Sequence, residues 1–201
     1  MAFEILRLPK DPDGIRSHVE QYKAFRLLSL QTDPDSFGSS YEREIAFSDD
    51  IWYNRLANPD AVTLVALQSG RIVCTITILG PMPFSPEELS PKVNPWELKG
   101  GATQLQSHWR INGMFTLPQA RGQGIAKALI KKALEYASTQ AARSGKPLVA
   151  SLVVDNANLA AKALYAKCGF STIKEEPFSR RGQIVAVLLM KFTPEVPEAS
   201  D

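Results

Sequence analysis

The sequence predicts an α/β fold, a mixed β-sheet with helices on both faces, from three features of its 201 residues. Residues 62–67 and 72–79 are β-branched runs separated only by Gln68-Ser69-Gly70-Arg71, the pattern of a tight antiparallel hairpin. An extended segment, 109–117, passes through a glycine-containing loop directly into an amphipathic helix that runs from Gly124 to about Arg143. Residues 148–154 then form a nearly continuous apolar run, as in a strand covered on both faces. Strand, loop, helix and parallel strand make a right-handed crossover, so parallel and antiparallel neighbours share one sheet.

The remaining elements follow from local signals. Residues 3–8 form a first strand, closed by the turn residues 9–14. Ser17 and Glu20 have the spacing of a capping box for a helix whose apolar face includes Val19, Phe25, Leu27, Leu28 and Leu30, ended by Asp33-Pro34. Ser39 and Glu42 repeat that spacing ahead of Tyr41, Ile45 and Phe47, and Asp49 or Asp50 caps a short helix carrying Trp52 and Leu56. Between Gly80 and Gln106 regularity stops, with Pro81, Pro83, Pro86, Pro91 and Pro95 punctuating the chain. So long a connection is functional or mobile as a rule: either a lid or interaction loop bearing Phe84 and Trp96, or a surface excursion. In the strand at 109–117, Trp109, Ile111, Gly113 and Phe115 alternate with Arg110, Asn112, Met114 and Thr116, and Gly113 is a natural place for a bulge. Ser144-Gly145-Lys146-Pro147 stops the long helix, and a further helix after Ala157 ends at Gly169. Ser171-Thr172-Ile173 and residues 184–192 supply the last strands, joined by a turn at Arg180-Arg181-Gly182. The polar end, 193–201, has nothing to bury and is expected to fray.

Composition narrows the function. A 44% hydrophobic content provides for one sizeable core, so residues 1–192 are expected to form a single domain with the Pro-rich segment around 80–106 as an insertion. The formal charge is +2, and Lys and Arg are scattered, which argues against a nucleic-acid footprint or a membrane-surface helix. No apolar stretch approaches the ~20 residues of a membrane span, and Met1-Ala2-Phe3-Glu4 does not open a secretory signal. Two cysteines without C-x-x-C spacing fit a reducing compartment, so a soluble, cytoplasmic protein is expected.

The chain is organised around Pro118-Gln119-Ala120-Arg121-Gly122-Gln123-Gly124-Ile125-Ala126, where a strand feeds into a helix N-terminus. The first backbone N–H groups of a helix have no intrahelical partners and, with the aligned peptide dipoles, hold anions. Gly122 and Gly124 allow close approach, and Arg121 adds donors suited to phosphate oxygens. Paired glycines also serve plain turn geometry. There is no G-x-x-x-x-G-K-[ST] run, and the third glycine of a dinucleotide fingerprint is missing. The segment R-G-Q-G-I-A resembles the Q/R-x-x-G-x-G/A pyrophosphate loop of the GNAT superfamily of acyl-CoA-dependent N-acetyltransferases. Downstream and in the family's order, Asn158-Leu159-Ala160-Ala161-Lys162-Ala163-Leu164-Tyr165-Ala166-Lys167-Cys168-Gly169-Phe170 resembles its N-x-x-A-x-x-L-Y-x-K-x-G-F segment.

The resemblance implies a strongly twisted sheet of about seven strands that binds acetyl-CoA and transfers the acetyl group directly to a primary amine of a small molecule or peptide, without a metal. Carried over by position, Arg121, Gly122, Gln123, Gly124, Ile125 and Ala126 hold the pyrophosphate. Met114, Phe115 and Thr116 pair with the pantetheine arm, and Asn158 touches it. Tyr165 lies beside the sulfur as general acid, and Phe37, Tyr41, Glu42 and Glu44 edge the acceptor groove. Plainer readings stand beside these: Tyr165, Phe37 and Tyr41 as core aromatics, Asn158 as a helix-start residue, and the whole fold as a non-catalytic acyl-CoA sensor or scaffold, monomeric or homodimeric. The inward positions where some relatives carry a basic catalyst are Arg110 and Asn112, neither a plausible base, and His108 lies too early.

Overall fold

The computed structural model describes residues 2–100 and 104–194. β1 (Glu4–Arg7) leads into α1 (Pro12–Thr32), which begins five residues before the expected Ser17 cap. Asp11 caps it instead, accepting from the Gly14 N–H at 2.8 Å, and Pro12 occupies the first turn, where its missing N–H costs nothing. The Ser17 hydroxyl donates to the Gly14 carbonyl inside the helix. α2 (Tyr41–Ile45) is capped by Ser40 rather than Ser39, and α3 (Asp49–Ala57) starts after Ser48. β2 (Ala61–Gln68) and β3 (Arg71–Leu79) form the expected hairpin, with Ser69 and Gly70 both at positive φ in its two-residue turn.

β4 (Ser107–Thr116), α4 (Ile125–Arg143), β5 (Leu148–Asp155), α5 (Leu159–Lys167), β6 (Phe170–Arg180) and β7 (Gln183–Phe192) complete the chain. The seven strands form one mixed sheet in the order β1-β2-β3-β4-β5-β7-β6, with β4 and β5 parallel. Consecutive residues of β2 and β3 are buried, so both faces of the sheet are covered at its centre.

The register of β3 against β4 pairs Thr77 with Asn112 but Thr75 with Phe115, so β4 carries one extra residue at this point. Gly113 supplies it at φ +60°, and the Thr75 hydroxyl donates to the Gly113 carbonyl at 3.0 Å. The bulge reverses the alternation expected along β4. Trp109 packs edge-on to Tyr136 of α4, whereas Phe115, an even number of residues later, packs against Phe25 of α1 on the other face.

The Pro-rich segment after β3 is not a loose excursion. Met82 and Leu89 are buried with Ala61 and Leu79, and Val93, Trp96 and Leu98 pack on them as a second small core. Its ties reach across the sheet: the Met82 N–H donates to the His108 carbonyl, and Lys191 of β7 pairs with Glu87 at 2.7 Å. Beneath it His108 is fully buried. Its Nδ1 lies 2.5 Å from the Phe84 carbonyl, which can only accept, so Nδ1 carries the proton and Nε2 accepts from the Ser151 hydroxyl at 2.7 Å.

Burial pushes the His108 pKa down to about 4; the Phe84 carbonyl and Glu87 oppose the shift, and the Arg110 charge adds to it. In the unfolded chain the ring titrates near its ordinary value of about 6.5. The unfolded state therefore takes the proton first, and the contribution of His108 to stability is complete above that pH and lost as pH falls from 6.5 towards 4. Urea unfolding at pH 7.5 and 4.5 should show wild type losing about 2–3 kcal/mol more than His108→Gln on acidification.

Candidate active site

The parallel ladder of β4 and β5 begins at Ser107–Leu148 and ends at Arg110–Ser151. Past that point β5 pairs only with β7 and β4 only with β3, although both strands continue. The strands part, and Asn112, Gly113 and Met114 at the opening are half-buried or exposed. One wall of the gap is thus β4 backbone without a neighbour on that side, which accepts an extended chain of amides as a sheet edge does.

At the end of β4 a 3₁₀ turn, Pro118–Ala120, leads to the glycine loop. Gly122 and Gly124 both stand at φ +76°, and a Cβ added to either would meet no atom within 4 Å. Gly124 caps α4 without any side-chain bond, and the first helical bond runs from Ala128 N–H to Gly124 O. The preceding amides have no intrahelical acceptor and stand at the positive end of a 19-residue helix dipole, which is the arrangement an anion requires. Ile125 is buried and anchors the helix start in the core, and Ala126 is half-buried. Gln123 bonds the Gln68 side chain and the Gln119 carbonyl. The Arg121 guanidinium folds back: Nε donates to the Thr116 carbonyl at 3.1 Å, Nη2 lies 3.5 Å from the Asp33 carboxylate, and the group stacks over Phe115. In this conformation the backbone, rather than Arg121, presents donors to the loop.

α5 closes the far side. Its N-cap is Asn158, whose side-chain oxygen accepts from Ala161 N–H at 3.0 Å and whose amide reaches the Ser36 hydroxyl at 3.4 Å. Tyr165 is buried, edge-on to Phe170. Burial first, then the neighbouring Cys74 and Cys168 thiols, raise its pKa above the usual phenol value, so it keeps its proton at neutral pH. Cys74 is bonded to the Thr116 hydroxyl at 3.0 Å and burial pushes its thiol up to about 12, so neither it nor the likewise raised Cys168 supplies a thiolate nucleophile.

Of the residues expected at the acceptor groove, Phe37 is buried, its ring tilted against Phe115 at 5.6 Å and beneath the Arg26 guanidinium at 4.4 Å. Tyr41 is half-buried against the core. Glu44 is not the free carboxylate expected. It is 1% exposed, one oxygen accepting from Arg26 Nη2 at 2.7 Å and the other from Arg26 Nε at 3.0 Å and Arg55 Nη1 at 2.9 Å. Burial alone would raise its pKa, but the bonds and charges of Arg26 and Arg55 overcome this and bring it to about 2. Glu42 is exposed, its carboxyl held below the usual range by its own backbone N–H and the Ser40 hydroxyl. Nothing in the spacing of Arg26, Glu44 and Arg55 announced their triad, because three separate helices bring them together.

The tip of the β6–β7 hairpin meets the turn after α1. Arg180 donates to the Asp35 carbonyl and pairs with Asp155 at 2.6 Å, and Arg181 donates to the Pro34 carbonyl at 3.3 Å. These contacts were also invisible in the sequence. They join the turn after α1 to two segments more than 100 residues further along the chain, in one rim around the opening.

The pattern that defines the acetyltransferase (GNAT) family matches residues 24–170, most of the chain, including the parted strands, the glycine loop and α5. The chain belongs to that family. A GNAT-family acetyltransferase of Streptococcus pneumoniae shares the fold at 18% identity and a TM-score of 0.67, over 96% of this chain and 99% of that one. NAA60 of Arabidopsis thaliana, solved in complex with acetyl-CoA, does so at 16% identity and 0.66, over 96% and 98%. A ribosomal-protein-alanine N-acetyltransferase of Brucella melitensis does so at 16% identity and 0.59, over 95% and 99%. Comparison with curated protein sequences gave no match. Among the described residues no cluster of His, Cys, Asp and Glu could hold a metal, and no helix is long and apolar enough to cross a membrane.

If the glycine loop holds the pyrophosphate, Gly124→Glu should weaken acetyl-CoA binding on the order of 100-fold in a calorimetric titration, since it brings a like charge to the helix start. Gly124→Ala costs about 1–2 kcal/mol of stability at this positive φ. It should retain most of the affinity, which separates strain from charge.

Proposed function

We propose that the protein transfers the acetyl group of acetyl-CoA directly to a primary amine. The observation that carries this reading is the parting of β4 and β5 beside an open glycine loop: a slot for an amide-containing arm and, at its end, a cradle for phosphates. Gly122, Gly124 and the first amides of α4 hold the pyrophosphate, and β4 at Met114, Phe115 and Thr116 pairs with the arm, near Asn158. The amine attacks the thioester carbonyl, the N–C bond forms and the C–S bond breaks. Backbone N–H groups near Met114 and Phe115 stabilise the oxyanion, and Tyr165, which stays protonated, delivers its proton to the departing sulfur.

The amine's proton has no dedicated base to go to. Arg110 and Asn112 cannot take it, His108 is bonded at both ring nitrogens, and Glu44 is held between two arginines. Freeing a lysine amine of pKa ~10.4 at neutral pH costs roughly 4–5 kcal/mol, against about 1 kcal/mol for an α-amine near pKa 8. The acceptor is therefore an α-amine or another weakly basic amine, and its proton leaves through water or the exposed Glu42.

Thiol release from acetyl-CoA, with and without candidate amines, tests the activity; a pure acyl-CoA binder leaves thiol at background in both. Tyr165→Phe should lower turnover roughly 10–1000-fold with little change in acetyl-CoA affinity. Unchanged turnover under rate-limiting chemistry would exclude the hydroxyl as donor. Across pH, an α-amine should outpace a matched lysine side chain at neutrality, and equal rates would contradict the base-free reading.

A further inference from the structure

Arg110 is the last residue of the β4–β5 ladder and stands where the strands part. Its neighbour Trp109 faces α4, so Arg110 faces the opposite side, on which His108 meets Ser151 and Phe115 meets α1 past the bulge. The residue is 4% exposed, and its Nε and Nη1 are buried without a hydrogen-bond partner among the described residues. Other buried or half-buried cations of the fold are treated differently. Arg26 and Arg55 have Glu44, Arg180 has Asp155, Lys191 has Glu87 and Lys174 has Glu176. Glu176 is the one carboxylate whose charge acts appreciably on Arg110, and it is already paired with Lys174. Burial lowers the Arg110 pKa only to about 10, so the group remains cationic at neutral pH.

A desolvated guanidinium with unmet donors is costly to keep, and a carboxylate is the ligand whose geometry fits its planar fork. Arg110 precedes Gly113 by three residues, about 10 Å of strand. The long Arg110 side chain and a small molecule together span that distance to the reacting carbonyl. We propose that Arg110 binds a carboxylate of the acceptor, so that the amine acetylated belongs to a small amino-acid-like molecule. This rests on the reading of the cleft as an amine-acetylation site. It adds a reason for the cationic residue on the strand where a base would otherwise stand.

The test compares an amino acid with its amide as acceptors, by thiol release from acetyl-CoA at matched concentrations of neutral amine. Wild type should favour the acid on the order of 100-fold in kcat/KM, as expected for a buried charge pair. In Arg110→Gln and Arg110→Met that ratio should fall to near one, while Arg110→Lys keeps part of it. Cooperative unfolding of each variant confirms that it is folded, and Arg110→Met should have a raised Tm, since an unpartnered buried charge has been replaced by an apolar chain. A wild-type ratio near one, or parallel loss of both substrates with the ratio intact, would make Arg110 structural and overturn the proposal. A carboxylate could also arrive on the acyl group. Succinyl-CoA preferred over acetyl-CoA with the amide acceptor, through Arg110, would overturn the assignment to the acceptor. Should no amine release thiol, the transferase reading fails by itself. Calorimetric titration of the amino acid into the protein with CoA then decides: binding lost in Arg110→Gln sustains the carboxylate site, and binding unaffected by the substitution ends it.

Discussion

The separation of β4 from β5 is the constraint on which the rest of the structure depends. Two neighbouring parallel strands that stayed paired would leave no slot, and the sheet would be a closed scaffold. Beyond Arg110 and Ser151 each keeps only the neighbour on its other side. β5 pairs with β7 from Ala150 to Asp155, and β4 follows β3 through a bulge that Gly113 permits. That one extra residue also re-aims the strand, so Trp109 secures α4 on one face and Phe115 secures α1 on the other. The same short segment opens the sheet and fixes the helices that border the opening.

Around it, charge is used to join elements rather than to fill the core. The Arg26–Glu44–Arg55 triad fastens three helices into one wall, with Arg26 over Phe37 and Arg55 over Phe47 and Trp52. Such a buried triad is worth keeping only when every member finds its partners, since loss of one leaves the others desolvated. The β6–β7 tip, the turn after α1 and the start of α5 are fastened by Arg180, Arg181, Asp155 and Asn158. Arg110 stands apart within this scheme: it is buried like Glu44 but forms no ion pair among the described residues. The asymmetry gives the Arg110 side of the opening a chemical character that the glycine loop, built from backbone, does not have.

The helix caps show how local competition decides boundaries. Ser17 and Glu20 have the right spacing for a cap, yet Asp11 with Pro12 behind it starts the helix earlier, because an aspartate cap with proline in the first turn is at least as good and lengthens the helix by six residues. The alternation along β4 failed for a similar reason. Gly113 was visible as an irregularity, but whether a glycine inserts an extra residue depends on the register of β3, which a single strand does not contain.

The sequence by itself determined the hairpin, the crossover unit, the glycine loop and the Tyr165 helix, because each depends on residues within a few positions of one another: periodicity, positive φ and the orphan amides of a helix start are short-range physics. Only the tertiary structure decided that Glu44 is a structural anion, that Arg121 turns back onto β4, that the Pro-rich segment packs as a second core, and that Arg110 is buried with Nε and Nη1 unbonded among the described residues. These depend on which distant charges and surfaces arrive beside a residue. Burial and pairing set the cost and the use of a charge, and both are properties of the assembled neighbourhood.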